Sequence, residues 1–254
     1  MPAPVPFDLP TRALEGKVVV VTGASQGLGA GLCTRFAELG AAVGACARRE
    51  PRPPSGAPSL TGAVDVTDAA RLERFGEAVA QALGPVDLWV NNAGVLGPVG
   101  PQRLHDPGEV ERALLVNVAG VANGTRTFAR LARGWPAARR VLVNVSSGAA
   151  RTPYEGWAVY GATKAAVDQY TRTVAVEEPG LLCHAVAPGV VETAMQEQVR
   201  ALDEATFPAV ERFRRIRAEG RANSPAWVAD HLAGILLGSL TPDEVLYRVP
   251  DEHP

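Results

Sequence analysis

Three residues in the second half of the chain have the types and spacing of a proton-transfer site. Tyr160 lies thirteen residues beyond Ser147, and Lys164 follows four beyond Tyr160 in the run YGATK. Residues at i and i+4 share one helix face, so the Lys164 ammonium would stand beside the phenol. A free phenol has a pKa near ~10, and a neighbouring ammonium stabilises its phenolate and lowers that value. Such a phenol can exchange a proton with an oxygen of a reacting molecule near neutral pH. Ser147, at the end of an apolar run, would hold the same oxygen in an oxyanion-type role. Of the 25 lysines and arginines, only Lys17 and Lys164 are lysines. Arginine is a wide, permanently charged fork and a poor member of a compact proton relay, so lysine at this place is informative. The bland alternatives are a turn serine and an exposed helix pair.

A second group could hold a phosphate. TGASQGLG puts Gly23, Gly27 and Gly29, with Ser25, Gln26 and Leu28 between them, where a tight turn opens a helix. Glycines let the backbone approach a pyrophosphate, and a helix N-terminus supplies N–H donors and the positive dipole end. At the end of the next strand an acid would accept from a ribose 2′-hydroxyl, whereas arginine suits a 2′-phosphate. Ala47 stands at the acid's place and Arg48-Arg49 follow, with Ser25 able to add a hydroxyl. NADPH is therefore the expected cofactor. The alternative is a pair of merely solvated arginines.

The elements that must position these groups alternate short β-branched runs with helical patterns, which points to βαβ units and a parallel sheet. Strands are expected at Val18–Val21, Ala41–Ala47, Leu60–Asp65, Val86–Val90, Arg140–Val145 and Leu182–Ala187, with an edge strand at Val245–Val249. Helices are expected from Gly27 to a stop at Gly40, over Asp68–Leu83, as one long helix over Glu109–Arg133, and over Ala158–Glu178. EPRPPSGAPS is too rich in proline for a helix, so that crossover reads as a loop. Residues 193–221 are polar and helical in tendency, broken at Pro208, and Ser224-Pro225 opens a last helix with an N-cap and an N1 proline. The expected fold is a single α/β domain over 17–250, a doubly wound Rossmann-like parallel sheet flanked by helices. Residues 1–16 read as a loose, proline-rich lead-in without the basic start and apolar stretch of a signal peptide.

Composition narrows the partners. The chain has 254 residues, 46% hydrophobic and 20% charged, with a formal net charge of −2. No basic stripe and no apolar run of membrane-spanning length occurs, so nucleic acid and membrane are poor partners. The three cysteines are widely spaced in apolar surroundings and read as reduced thiols of a cytoplasmic protein. The four histidines show no ligand spacing, and no metal is expected.

Taken in order, these runs resemble the short-chain dehydrogenase/reductase family over nearly the whole chain. TGASQGLG is similar to the family's TGxxxGxG loop, NNAG at Asn91–Gly94 to its motif after the fourth strand, and YGATK to its tyrosine–lysine motif. Asn117 in LLVNVAG resembles the family's helix asparagine, and APGVVET at Ala187–Thr193 its nicotinamide-side loop. The resemblance implies a catalytic set of Asn117, Ser147, Tyr160 and Lys164, in which Tyr160 donates a proton to a carbonyl oxygen receiving hydride. Lys164 would also hold the nicotinamide ribose, and the Asn117 main chain a relay water. The implied cofactor cleft takes in Gly23 to Gly29, Arg48, Arg49, Asp65, Val66, Asn92, Ala93, Gly94, Tyr160, Lys164, Pro188, Gly189, Val191 and Thr193.

NVSSGAARTPYEGWAVYGATKAA is similar to the sepiapterin reductase and benzil reductase branch. That resemblance implies a ketone or diketone substrate, aryl-substituted, held by Ser147, Tyr154, Trp157 and Tyr160. Leu96 and residues 195–213 would complete the wall, with 193–221 as a lid. The pterin-anchoring aspartate of sepiapterin reductases has no match near Leu246, which weighs against a pterin. The family also implies a homodimer through the helices near 109–133 and 158–178, where Ala162, Ala165 and Ala166 permit close approach. An oxidative alcohol dehydrogenase or a non-catalytic NADP-binding sensor would share the same fold.

Overall fold

The computed structural model describes residues 9–136 and 138–253. Val18–Thr22 forms β1, buried along its whole length. Its side chains alternate between two cores, as strand pleating requires. Val19 and Val21 pack towards α1 (Gly27–Glu38) and α8 (Pro225–Leu237), while Val18 and Val20 face α2 (Ala69–Leu83) and α4 (Gly120–Ala132). A strand covered on both faces needs the continuous apolar run seen in the sequence.

Seven parallel strands lie in the order β3-β2-β1-β4-β5-β6-β7. They are β2 (Ala42–Ala47), β3 (Ser59–Ala63), β4 (Leu88–Asn91), β5 (Val141–Val145), β6 (Leu182–Ala187) and β7 (Leu246–Arg248). The sheet grows outward in one direction from β1 and in the other from β4. A crevice opens between them at the carboxyl ends of the strands, the place where doubly wound sheets bind ligands. This is the expected Rossmann-like sheet, and the β2–β3 crossover is indeed without a helix.

Three expectations need correction. The third strand stops at Ala63 rather than Asp65, because the Asp65 carboxylate turns back to accept from the Thr67 N–H (3.0 Å) and hydroxyl (2.8 Å). The long helix over 109–133 is broken: α3 (Pro107–Leu114) and α4 are joined by a π-helical turn, Leu115–Ala119, that carries Asn117. The lead-in is not loose up to residue 16. Leu14 is fully buried and its N–H donates to the Leu39 carbonyl at 2.8 Å, sealing the end of α1. The rest of that expectation, residues 1–8, lies outside the described residues.

Residues 193–221, expected as a lid, fold as α6 (Ala194–Arg200) and α7 (Val210–Ala218), with turns over 201–209 around Pro208. Cys33, Cys46 and Cys183 are buried free thiols, and burial pushes each up to about 12. Among the described residues, no helix is long and apolar enough to cross a membrane.

Candidate active site

β5 and α5 (Ala158–Glu177) bring the three sequence-marked residues together. Ser147 follows β5, and its Oγ accepts from the Ala149 N–H at 3.2 Å. Tyr160 and Lys164 lie one turn apart on the buried face of α5, only 8% and 5% exposed. Lys164 Nζ donates to the Val145 carbonyl at 2.8 Å and stands 5.8 Å from the centroid of the Tyr160 ring. The ammonium is thus gripped by the strand that delivers Ser147.

The electrostatics differ in one respect from the sequence reading. Burial raises the Tyr160 pKa above its ordinary value, and the hydrogen bond with Ser147 lowers it by less. Lys164 was expected to bring the phenol down; burial instead holds it above the ordinary value. Burial also lowers Lys164, to about 8, against the opposing charge of Asp168. A phenol that stays protonated at neutral pH suits a proton donor better than a proton acceptor.

Asn117 is fully buried and its side chain does not face the reacting groups. Its Oδ1 accepts from the Val95 N–H and its Nδ2 donates to the Val95 carbonyl, both at 2.8 Å, and Nδ2 also reaches Thr163 Oγ1 at 3.1 Å. The asparagine therefore ties the loop after β4 to the turn of α5 between Tyr160 and Lys164.

The glycine loop fits a dinucleotide. Gly23 has φ +68°, and a Cβ there would sit 2.7 Å from Ala93 Cα. At Gly29 a Cβ would fall 2.4 Å from the Gly23 carbonyl oxygen and 2.5 Å from Asn92 Nδ2. The loop thus packs backbone to backbone against NNAG. Gln26 makes no side-chain cap to α1, whereas Asp68, Asp106, Thr193 and Ser224 cap α2, α3, α6 and α8. An uncapped N-terminus at the mouth of the crevice leaves N–H donors for phosphate oxygens. Arg48 and Arg49 follow β2, both exposed; Arg48 acts on Asp65 and Arg49 reaches Gln26 Oε1 at 3.5 Å. Burial pushes Asp65 up, but the Thr67 hydrogen bonds and the arginine charge prevail and hold it below the usual carboxylate range.

Ser147, Tyr160, Lys164, the glycine loop, Arg48, Arg49 and Asp65 line one cleft of about 1330 Å³, together with Asn92, Gly94, Val66, Pro188, Gly189, Val191 and Thr193; Asn117 is buried outside that lining. At its far end Tyr154, Trp157, Phe207 and Phe213 form an aromatic cluster with Leu96, Val199 and Tyr160. Phe207, from the lid, stacks on Trp157 with centroids 4.6 Å apart and planes 19° from parallel. Arg212 on α7 donates to the Tyr154 hydroxyl at 2.7 Å, with its guanidinium 5.7 Å from that ring's centroid.

Residues 17–204 match the family model described as short chain dehydrogenase. The chain belongs to that family. Short-chain dehydrogenase relatives place it further: it is 30% identical to a benzil reductase ((S)-benzoin forming) of Bacillus cereus, over 92% of this chain and 100% of the relative. It is 30% identical to the sepiapterin reductase of Meriones unguiculatus, over 86% and 90% of the two chains. Among solved structures, a 3-ketoacyl-(acyl-carrier-protein) reductase from Brucella melitensis complexed with NADH superposes with a TM-score of 0.75 at 30% identity, covering 93% of this chain and 97% of that one. The protein is thus an oxidoreductase of the short-chain dehydrogenase family, on the benzil and sepiapterin reductase branch, with a cleft for a nicotinamide dinucleotide.

The sequence reading missed two contacts and one buried charge. Phe207 covers Trp157, so Trp157 anchors the lid as well as backing the cleft. Arg212 occupies the hydroxyl of Tyr154, a residue that resemblance had assigned to the substrate wall. Asp168, buried beside Lys164, carried a legible signal, since it follows Lys164 by four on the same helix face.

Proposed function

We propose that this chain is an NADPH-dependent carbonyl reductase acting on a ketone or diketone, aryl-substituted, with Tyr160 as general acid. The observation that carries the reading is the convergence of a buried phenol, a serine hydroxyl and an ammonium where the dinucleotide cleft meets an aromatic wall. NADPH supplies the hydride when bound, its pyrophosphate suited to the N-terminus of α1 and its 2′-phosphate to Arg48 and Arg49. Ser147 and Tyr160 receive the carbonyl oxygen, so that negative charge developing there meets two hydroxyl donors. Tyr160 passes its proton to that oxygen, and the buried phenolate left behind is offset by the Lys164 ammonium. Only a carbonyl that reaches both hydroxyls reacts, so one carbonyl of a diketone is reduced first. Tyr154, Trp157 and Phe213 supply an apolar surface for a flat aryl group.

Two further features belong to the same reading. Ala162 and Ala165 on α5 are exposed, as are Leu114, Leu115 and Val176, which supports an isologous homodimer through α4 and α5. Buried, unpaired cysteines support a cytoplasmic location.

The deciding assay sets benzil, 1-phenyl-1,2-propanedione, sepiapterin and a short aliphatic ketone side by side, each with NADPH and with NADH, and resolves the products by chiral chromatography. Phenyl diketones should be reduced fastest, to single-enantiomer hydroxyketones. NADPH should be favoured roughly ten- to hundredfold, the worth of a charge-assisted phosphate contact of ~1.5–3 kcal/mol, and Arg48→Ala should erase most of that preference. Preference for the aliphatic ketone refutes the substrate, equal use of NADH refutes the cofactor, and binding without turnover points to the sensor.

A further inference from the structure

One buried ionisable side chain has no part in the reaction just described. Asp168 follows Lys164 by one helical turn on α5 and is 6% exposed. No direct ion pair joins it to the lysine. Its Oδ1 instead accepts a hydrogen bond from Ser146 Oγ, itself 4% exposed. Three consecutive residues at the end of β5 thereby serve one site: the Val145 carbonyl takes the Lys164 ammonium, the Ser146 hydroxyl takes Asp168, and Ser147 faces Tyr160.

Burying an ammonium is costly unless a compensating charge lies near, and a neutral Lys164 could not offset a phenolate. A carboxylate in direct contact would supply the charge but would draw the ammonium off the reacting centre. A carboxylate held one turn away by a serine supplies the charge and leaves the ammonium where Val145 places it. We propose that Asp168, held back by Ser146, is a positioning residue that keeps Lys164 charged without capturing it. This rests on the reading of Lys164 as part of the proton-transfer set.

The groups facing Lys164 are few. On α5 they are Tyr160 and Asp168; β5 offers the Val145 carbonyl, and the two serines just beyond it bond Asp168 and Tyr160. The loop after β4 presents Gly94, where a Cβ would come within 3.7 Å of Nζ and within 3.3 Å of the Asn117 amide oxygen from the π turn. Asp168 is the charged group that acts on the lysine, raising its pKa against desolvation. Burial displaces the Tyr160 phenol upward and brings Lys164 down to about 8.

The chain has only two lysines, so selective 15N-lysine labelling yields two side-chain signals, and Lys17→Arg assigns them. Asp168→Asn keeps the shape and the acceptor for Ser146 while removing the charge. The Lys164 titration midpoint should fall by about one unit. The alkaline limb of the pH profile of kcat should move down with it, while the KM for the ketone stays within about twofold. Asp168→Glu should restore the limb. An unchanged midpoint in folded Asp168→Asn overturns the proposal. Should Asp168→Asn fail to fold, Ser146→Ala decides: a freed carboxylate closes on the ammonium, so the midpoint rises above wild type and kcat drops, and a midpoint that stays or falls is a refutation. The titration needs no substrate, so failure to find a reducible ketone would sink the proposed function and leave this test readable.

Discussion

The floor of the cleft, built from β5 and α5, and the helical segment over 194–218, proposed as its lid, meet at the aromatic cluster but are held by different forces. On the floor, β5 grips α5 through directional polar contacts in series: Asn144 Nδ2 to Thr171 Oγ1 at 2.9 Å, Lys164 Nζ to the Val145 carbonyl at 2.8 Å, and Ser146 to Asp168. Asn91 extends the network, its Nδ2 donating to Asn144 Oδ1 at 2.8 Å and its Oδ1 accepting from Trp89 Nε1 at 2.8 Å. The lid instead lies on an apolar clasp, Phe207 on Trp157 with Phe213 beside them, and ties its rim with partly exposed ion pairs such as Arg217 to Glu192 at 3.1 Å. Hydrogen bonds fix angle as well as distance, which proton transfer requires. Aromatic stacking is less directional, so a clasp of that kind holds its partners less strictly than the hydrogen bonds of the floor.

The same contrast decides what could be read from the sequence. Ser147, Tyr160 and Lys164 were legible because one strand end and one helix place them, and helical period alone sets the tyrosine beside the lysine. The glycine loop and the strands were legible as punctuation and apolar runs. The Trp157–Phe207 stack joins residues fifty positions apart across a segment whose pattern gave only a weak helical tendency, so no local rule could find it. The Tyr160 pKa went astray for a related reason: proximity to Lys164 is a local fact, whereas the burial that raises the phenol is a property of the whole fold, in which Tyr160 joins an aromatic cluster with Trp157 edge-on to its ring. The π turn at Asn117 was hidden too, since the apolar pattern continues through it and the partners of Asn117, Val95 and Thr163, are distant in sequence.

The comparison breaks most visibly at the floor. Tyr160→Phe keeps the ring and its packing against Trp157 but removes the proton, so kcat should fall by ~10²–10⁴-fold, the usual worth of general acid catalysis. NADPH affinity, followed by fluorescence titration, should change little. Turnover within a factor of a few of wild type would show that the floor is not where the proton comes from. Lys164→Arg should also lose most activity, because the guanidinium keeps the charge but is a wide planar fork in place of the compact ammonium that donates to the Val145 carbonyl.

A lid substitution should act on another observable. Phe207 is fully buried, and truncating such a residue commonly costs ~3–5 kcal/mol. Here that loss falls on the lid. Phe207→Ala should raise the ketone KM by roughly tenfold or more, with a smaller change in kcat. Hydrogen exchange should accelerate across 194–218 while α5 amides around Lys164 stay protected, because lid and floor open separately. If α5 loses protection to the same extent, the two regions form one cooperative unit and the distinction drawn here fails.

The smallest effect should come from the polar latch between lid and floor. Arg212 bonds the Tyr154 hydroxyl at 2.7 Å, but the contact is exposed, and exposed polar pairs are typically worth ~0.2–1 kcal/mol. By that measure Arg212→Ala should lower kcat/KM by no more than about fivefold. Tyr154→Phe separates the two parts of the contact, since it deletes the hydrogen bond while leaving the ring under the guanidinium, whose centroid distance is 5.7 Å. A double-mutant cycle over both positions should give a coupling below about 1 kcal/mol. The latch has no apolar burial to add to its hydrogen bond, whereas the Phe207 clasp has little else. A drop of thirtyfold or more in Arg212→Ala would reverse that ranking. The lid would then be held shut by one cation at its rim, and added salt, which leaves stacking nearly untouched, should weaken substrate binding in the wild type as strongly as the mutation does.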